Sequence, residues 1–169
     1  LGYNIIEQRR RLKPQFVGLS QREINEVIWS KGKDEVAEEF EKIIFSYGGD
    51  SRPIDPQKIA ESLFLCHECT YLNIEDDERN FQQHSYLAEV LETAKAARVE
   101  NLLLFHTSLR YNLEELRQGI EDGMARINPG CRVLVLHGDS ILDTASPHSW
   151  KKRIQRERAR EKALGEPSE

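Results

Sequence analysis

Short apolar runs that end abruptly at clusters of polar, chemically capable residues, with amphipathic helical stretches between them, constrain this chain most. Residues 62–66 (Ser-Leu-Phe-Leu-Cys) run into His67-Glu68-Cys69-Thr70, and residues 102–105 (Leu-Leu-Leu-Phe) run into His106-Thr107-Ser108-Leu109-Arg110-Tyr111. Both are too short for helices and apolar enough for strands buried on both faces. Residues 43–47 form a third strand, broken by Gly48-Gly49-Asp50, and the loop through Pro53 and Pro56 cannot continue it. Residues 1–7 have strand character and precede a cationic loop at 9–14, while an acidic stretch covers 34–41. A strand pair, 132–136 and 140–142, flanks His137-Gly138-Asp139.

The helices between them carry start and stop signals. Ser20 and Glu23 make a capping box before Ile24, Val27 and Ile28, and Gly32 supplies the stop. Ser85 is the expected cap of a helix whose Leu87, Val90, Leu91 and Ala94 share one face. Asn112, with Glu115 three residues on, caps a third with Leu113, Leu116, Ile120, Met124 and Ile127 inward, stopped at Asn128-Pro129-Gly130. Strands alternating with helices predict an α/β fold.

Composition narrows the class further. The 169 residues suit one domain, and no apolar run approaches the roughly 20 residues of a transmembrane helix. A soluble, cytoplasmic chain with no membrane partner is expected. Net charge of −5 argues against gripping nucleic acid with the whole surface, leaving local basic segments. Three cysteines do not make a secreted disulfide framework, and Cys66-x-x-Cys69 lacks the second pair that a zinc ribbon needs. Residues 146–169 change character: seven Lys and Arg stand against two Glu over 150–162, with no wide apolar face. They read as a surface helix and tail appended to a domain at 1–145, with a charge that suits solubility more than binding. Beginning at Leu1 inside an apparent strand, the chain is expected to be the later part of a longer one.

Three polar clusters follow strands: Gly49-Asp50-Ser51, His67-Glu68, and His106-Thr107-Ser108. Strands of common direction deliver their C-terminal ends to one sheet edge, where ligand sites gather. Asp, Glu and His are also the donors that hold a divalent metal such as zinc. Taken one at a time, each has a plainer reading: Asp50 as a turn residue after two glycines, each His as a satisfied, partly buried side chain. His84, at the edge of the 85–97 helix, is a fourth such group.

As an ordered set the clusters resemble a known family. Gly49-Asp50-Ser51-Arg52-Pro53, His67-Glu68-Cys69-Thr70, His84-Ser85-Tyr86 and His106-x-Ser108-x-Arg110-Tyr111 are similar to the G-D-T-x-P, H-E-A-T, H-S-T and H-x-S-x-R-Y signatures in the second half of ribonuclease Z, the tRNA 3′-end endonuclease of the metallo-β-lactamase superfamily. The spacings, 17 residues from His67 to His84 and 22 from His84 to His106, also match, and the likeness covers roughly 1–140. Four motifs in order are far more specific than any one.

The resemblance implies the C-terminal portion of an αββα sandwich. It implies that Asp50 bridges two zinc ions, His106 ligates one, His84 protonates the leaving ribose oxygen, and Glu68 orients the His84-Ser85-Tyr86 loop. Arg110, His67 and Ser108 would lie on the substrate side, and the substrate would be a tRNA precursor. Cys69, Tyr86 and Ser51 depart from the family's Ala, Thr and Thr. The superfamily's H-x-H-x-D-H motif is absent from the sequence, and His137 and His148 lie out of order to replace it. The chain by itself is therefore expected to be inactive, and its uncovered sheet to favour a homodimer. Two other readings stand beside the enzyme. One is a metal-free, degenerate half that binds RNA or a partner through Arg9, Arg10, Arg11, Lys13 and the 151–162 segment; the other is a superfamily hydrolase acting on another ester.

Overall fold

The computed structural model describes residues 2–76 and 83–165; Leu1, residues 77–82 and the end of the tail at 166–169 lie outside the described residues. Strands β1 (Tyr3–Leu12) and β2 (Ala37–Tyr47) enclose helix α1 (Gln21–Lys31) and the single turn α2 (Lys33–Val36). Then follow β3 (Phe64–Glu68), α3 (Leu87–Ala97), β4 (Asn101–Phe105), α4 (Leu113–Ile127), β5 (Arg132–His137), β6 (Ser140–Asp143) and α5 (Pro147–Gly165). The six strands form one sheet in sequence order. β2, β3, β4 and β5 run parallel, and β1 and β6 close the two edges antiparallel. The α/β expectation is met.

Alternation along the strands sets what each face meets. Leu65, Leu102, Leu104, Val133, Val135 and Leu142 share one buried cluster with Leu87, Val90 and Leu91 of α3 and Leu116 and Ile120 of α4. The opposite face carries a row of aromatic rings instead. Phe45 stacks on Phe64 and Tyr47 on Phe105, at 6.1 and 5.6 Å between centroids, and Tyr3 leans on both Phe45 and Tyr47. That face is not closed: Tyr3 and Ile141 remain 57% and 59% exposed, and Ile5 and Leu136 are exposed as well. The architecture is thus one sheet with a single helical layer, half of the expected sandwich.

Two capping boxes form as the sequence predicts. Glu23 Oε2 accepts from Ser20 N–H, and Asn112 Oδ1 accepts from the amides of Glu114 and Glu115. Four local expectations need correction. The 9–14 segment is not a loop: Arg9 to Leu12 continue β1, because the acidic stretch opposite is itself strand. Arg11 sits directly across from Glu38 and bonds it at 2.7 Å, and Arg10 pairs with Asp34. Opposite charges facing across a ladder extend both strands. His67 and Glu68 lie inside β3 rather than after it. The cap of α3 is Tyr86, not Ser85, with Glu89 Oε2 accepting from Tyr86 N–H.

The fourth correction concerns α5, which is not wholly a surface helix. Trp150, 1% exposed, and Ile154 enter the main core, and the indole N–H donates to Asp143 O at 3.1 Å. Two apolar residues one turn apart anchor a helix that is otherwise charged. Trp150→Ala is expected to destabilise the chain by about 3–5 kcal/mol, the usual range for emptying a buried aromatic site, as a drop in urea midpoint.

At the same corner Arg132 Nε and Nη2 both donate to Asp143 Oδ2, and this bond above all holds the Asp143 carboxyl below the usual carboxylate range. A carboxyl depressed in the folded state stabilises above the unfolded value of about 3.9 and loses that contribution as pH falls through the folded value. The melting-temperature gap between wild type and Asp143→Asn should therefore be present at pH 7 and shrink below about pH 4. A gap independent of pH would remove this linkage.

Candidate metal centre

The C-terminal ends of β2, β3 and β4 converge with the start of α3. β2 stops at Gly48, whose N–H donates to Cys66 O, and Gly49 at φ 74° turns the chain so that Asp50 follows at the sheet edge. A side chain at 48 would meet the His67 ring, since an added Cβ would lie 2.7 Å from His67 Cδ2. β4 ends at His106, which itself holds the left-handed φ of 58° that non-glycine residues rarely adopt. His84 precedes α3.

Glu68 organises these ends. Fully buried at 0% exposure, its carboxylate accepts from Ser85 N–H at 2.6 Å, from Thr70 N–H at 2.9 Å and from Thr70 O–H at 2.8 Å. Thr70 Oγ1 lies 3.0 Å from His106 Nδ1. Around this carboxylate, Asp50, Glu68, His84 and His106 each bring a ligand-capable atom within 4.8 Å of the other three. His84 Nδ1 is 2.8 Å from Asp50 Oδ1 and 3.7 Å from Glu68 Oε1, and His106 Nδ1 is 3.8 Å from Asp50 Oδ1. His84 Nδ1 is buried yet lacks an aligned hydrogen bond despite the short contact with Asp50. A buried polar atom without an aligned bond calls for explanation, and carboxylate and imidazole donors crowded around it fit a divalent cation such as zinc.

The structure brings together all four residues placed by sequence in catalytic or ligand roles. The three placed on the substrate side have other immediate partners. His67 is fully buried and its Nε2 has no hydrogen-bond partner among the described residues; burial pushes its pKa below the ordinary imidazole value. Ser108 N–H donates to Thr70 O, fixing the 106–111 loop to the end of β3. Arg110 Nη1 donates to Asp76 O in an exposed setting, and Tyr111 O–H donates to Asp76 Oδ2 at 2.7 Å. Burial pushes the Cys66 thiol up to about 11 and Cys69 further, and the group of ligand-capable residues found among the described ones includes neither cysteine.

Several contributors escape a reading of sequence. Arg52 Nη1 donates to His84 O at 2.9 Å, its guanidinium pairs with Glu89, and it lies 5.2 Å over the Tyr86 ring. Tyr86, where the family has Thr, thereby clamps the His84 loop to the Asp50 loop. Tyr71 presents its ring edge-on to His84 at 6.2 Å and packs on Tyr86 at 6.0 Å. Arg52 lies inside a quoted motif, so position alone could have flagged it, but its partners are 32 and 37 residues away.

Fold and site together define a mixed α/β protein with a carboxylate–imidazole cluster, able to hold a metal ion, at the C-terminal edge of its parallel strands. No protein-family model matches the chain. Ribonuclease Z of Thermococcus onnurineus is 41% identical over 110 residues, 63% of this chain and 32% of that protein. The chloroplastic tRNase Z TRZ2 of Arabidopsis thaliana is 28% identical over 127 residues, 70% of this chain and 35% of that protein. Among solved structures, the metallo-β-lactamase fold protein YhfI from Bacillus subtilis aligns over 82% of this chain and 48% of its own, with a TM-score of 0.46 and 17% identity. The chain is similar to part of ribonuclease Z from several organisms. It spans about a quarter to a third of the length of the curated relatives it matches. Among the described residues, no helix is long and apolar enough to cross a membrane.

Because three donors converge on Glu68, Glu68→Gln places an amide NH₂ against one of them. Bonds to a charged acceptor are worth about 1.5–3 kcal/mol, so the chelator-treated chain should lose about 2–3 kcal/mol in urea unfolding. An unchanged midpoint would show that Glu68 does not hold the site together.

Proposed function

We propose that this chain supplies the Asp50–Glu68–His84–His106 side of a zinc-dependent phosphodiesterase of the ribonuclease Z type, hydrolysing a phosphodiester near the 3′ end of a tRNA precursor. The observation that carries the reading is the convergence of these four residues from separate strand ends and the start of α3. Asp50, at the mouth and half exposed, is the carboxylate that would bridge two cations, and His106 would hold one of them. Bound divalent cations would lower the pKa of a water so that it can attack phosphorus. His84 donates the proton to the leaving ribose oxygen, an imidazole being suited to that transfer near neutral pH. Glu68, through Ser85 N–H, holds the backbone beside His84 in place.

The alternative of a metal-free RNA-binding module is disfavoured by where its cations go. Arg9, Arg10 and Arg11 pair with Glu7, Asp34 and Glu38, and in α5 Arg153 and Arg158 pair with Asp139 and Glu114. Cations already engaged by carboxylates offer less to phosphates.

In a complete polypeptide containing this chain, His84→Ala should lower cleavage of pre-tRNA by roughly 10²- to 10⁴-fold with zinc content unchanged. Asp50→Ala should lose zinc as well as activity, read by metal analysis. Loss of zinc in the His84 variant would make His84 a ligand instead of the acid.

A further inference from the structure

We propose that Thr70 is a positioning residue whose hydroxyl fixes the tautomer of His106, keeping the proton on Nδ1 and the lone pair on Nε2. A threonine hydroxyl has one proton to give and lone pairs with which to accept. The Glu68 carboxylate can only accept, and its 2.8 Å contact with Thr70 Oγ1 therefore uses that proton. The same Oγ1 lies 3.0 Å from His106 Nδ1, so with its proton spent it can only accept there. His106 Nδ1 must then carry a hydrogen. Asp50 does not compete for it, since Asp50 Oδ1 is 3.8 Å from that nitrogen, beyond hydrogen-bond reach.

The consequence is a single ligand atom. A neutral imidazole has one lone pair, and the bond made by the other nitrogen decides which atom bears it. With Nδ1–H committed to Thr70, Nε2 is the atom left to take a metal. Glu68 is thereby coupled to two histidines by separate routes: to His106 through the Thr70 hydroxyl, and to the backbone next to His84 through Ser85 N–H. Ser108 N–H on Thr70 O ties the two segments together.

For its use this inference rests on the metal-site reading; its geometry stands without it, and the test separates the two. Long-range ¹H–¹⁵N correlation spectra of the metal-free chain, taken in chelator at a pH where imidazoles are neutral, should show the His106 proton on Nδ1. Thr70→Val, which keeps the shape and the backbone bonds, should shift the population towards Nε2–H, and Thr70→Ser should restore the wild-type pattern. Zinc affinity, by competition with a chelator, should fall about 10- to 100-fold in the Val variant and recover in the Ser variant. An Nε2–H tautomer in the wild type, or a Val variant with the wild-type pattern, would overturn the inference. An Nδ1–H signal that responds to Thr70 in a chain that binds no zinc would uphold the positioning role and refute the metal reading.

Discussion

The buried carboxylate of Glu68 is the interaction on which the rest of the site depends. A carboxylate removed from water carries a large desolvation cost unless its oxygens are filled with donors. Here two backbone N–H groups and one hydroxyl fill them. Because the donors come from the turn after β3 and from the start of α3, satisfying the charge fixes the spacing of segments that are distant in sequence. This edge of the sheet is assembled by the need to solvate one anion from within.

The same logic explains why the edge tolerates irregular backbone. His106 sits in a left-handed conformation, and Gly48 has no room for a Cβ because the His67 ring covers it. Such features cost of order 1–3 kcal/mol each when the backbone is held in sparsely populated regions, and they persist where surrounding bonds over-determine them. Thr70, Ser108 and Arg52 are those bonds, and none contributes a ligand.

Much of this was legible in the sequence, and the misses are instructive. Short apolar runs and capping boxes located β3, β4, α1 and α4 because burial and local hydrogen bonding are decided by neighbours in the chain. The ordered motifs gathered Asp50, Glu68, His84 and His106. The reading failed where the deciding partner is remote. Arg9 to Arg11 look like a loop until the acidic strand opposite neutralises them, and α5 looks fully exposed until Trp150 finds the core. His67, placed on the substrate side by the family resemblance, is buried by strand alternation and the close approach of Gly48. The cap of α3 is marked locally by Glu89, three residues after Tyr86, whereas residue type alone points to Ser85.

The sheet also carries a debt on its other side. Tyr3, Ile5, Leu136 and Ile141 hold apolar area in contact with water, at roughly 25 cal/mol for every Å² that a cover would remove. A partner that covered that face would bind the folded chain and not the unfolded one, and so would shift the folding equilibrium by mass action. With such a partner the melting temperature of this chain would be a property of its surroundings as much as of its sequence, and comparisons between variants would hold only at matched concentration and composition.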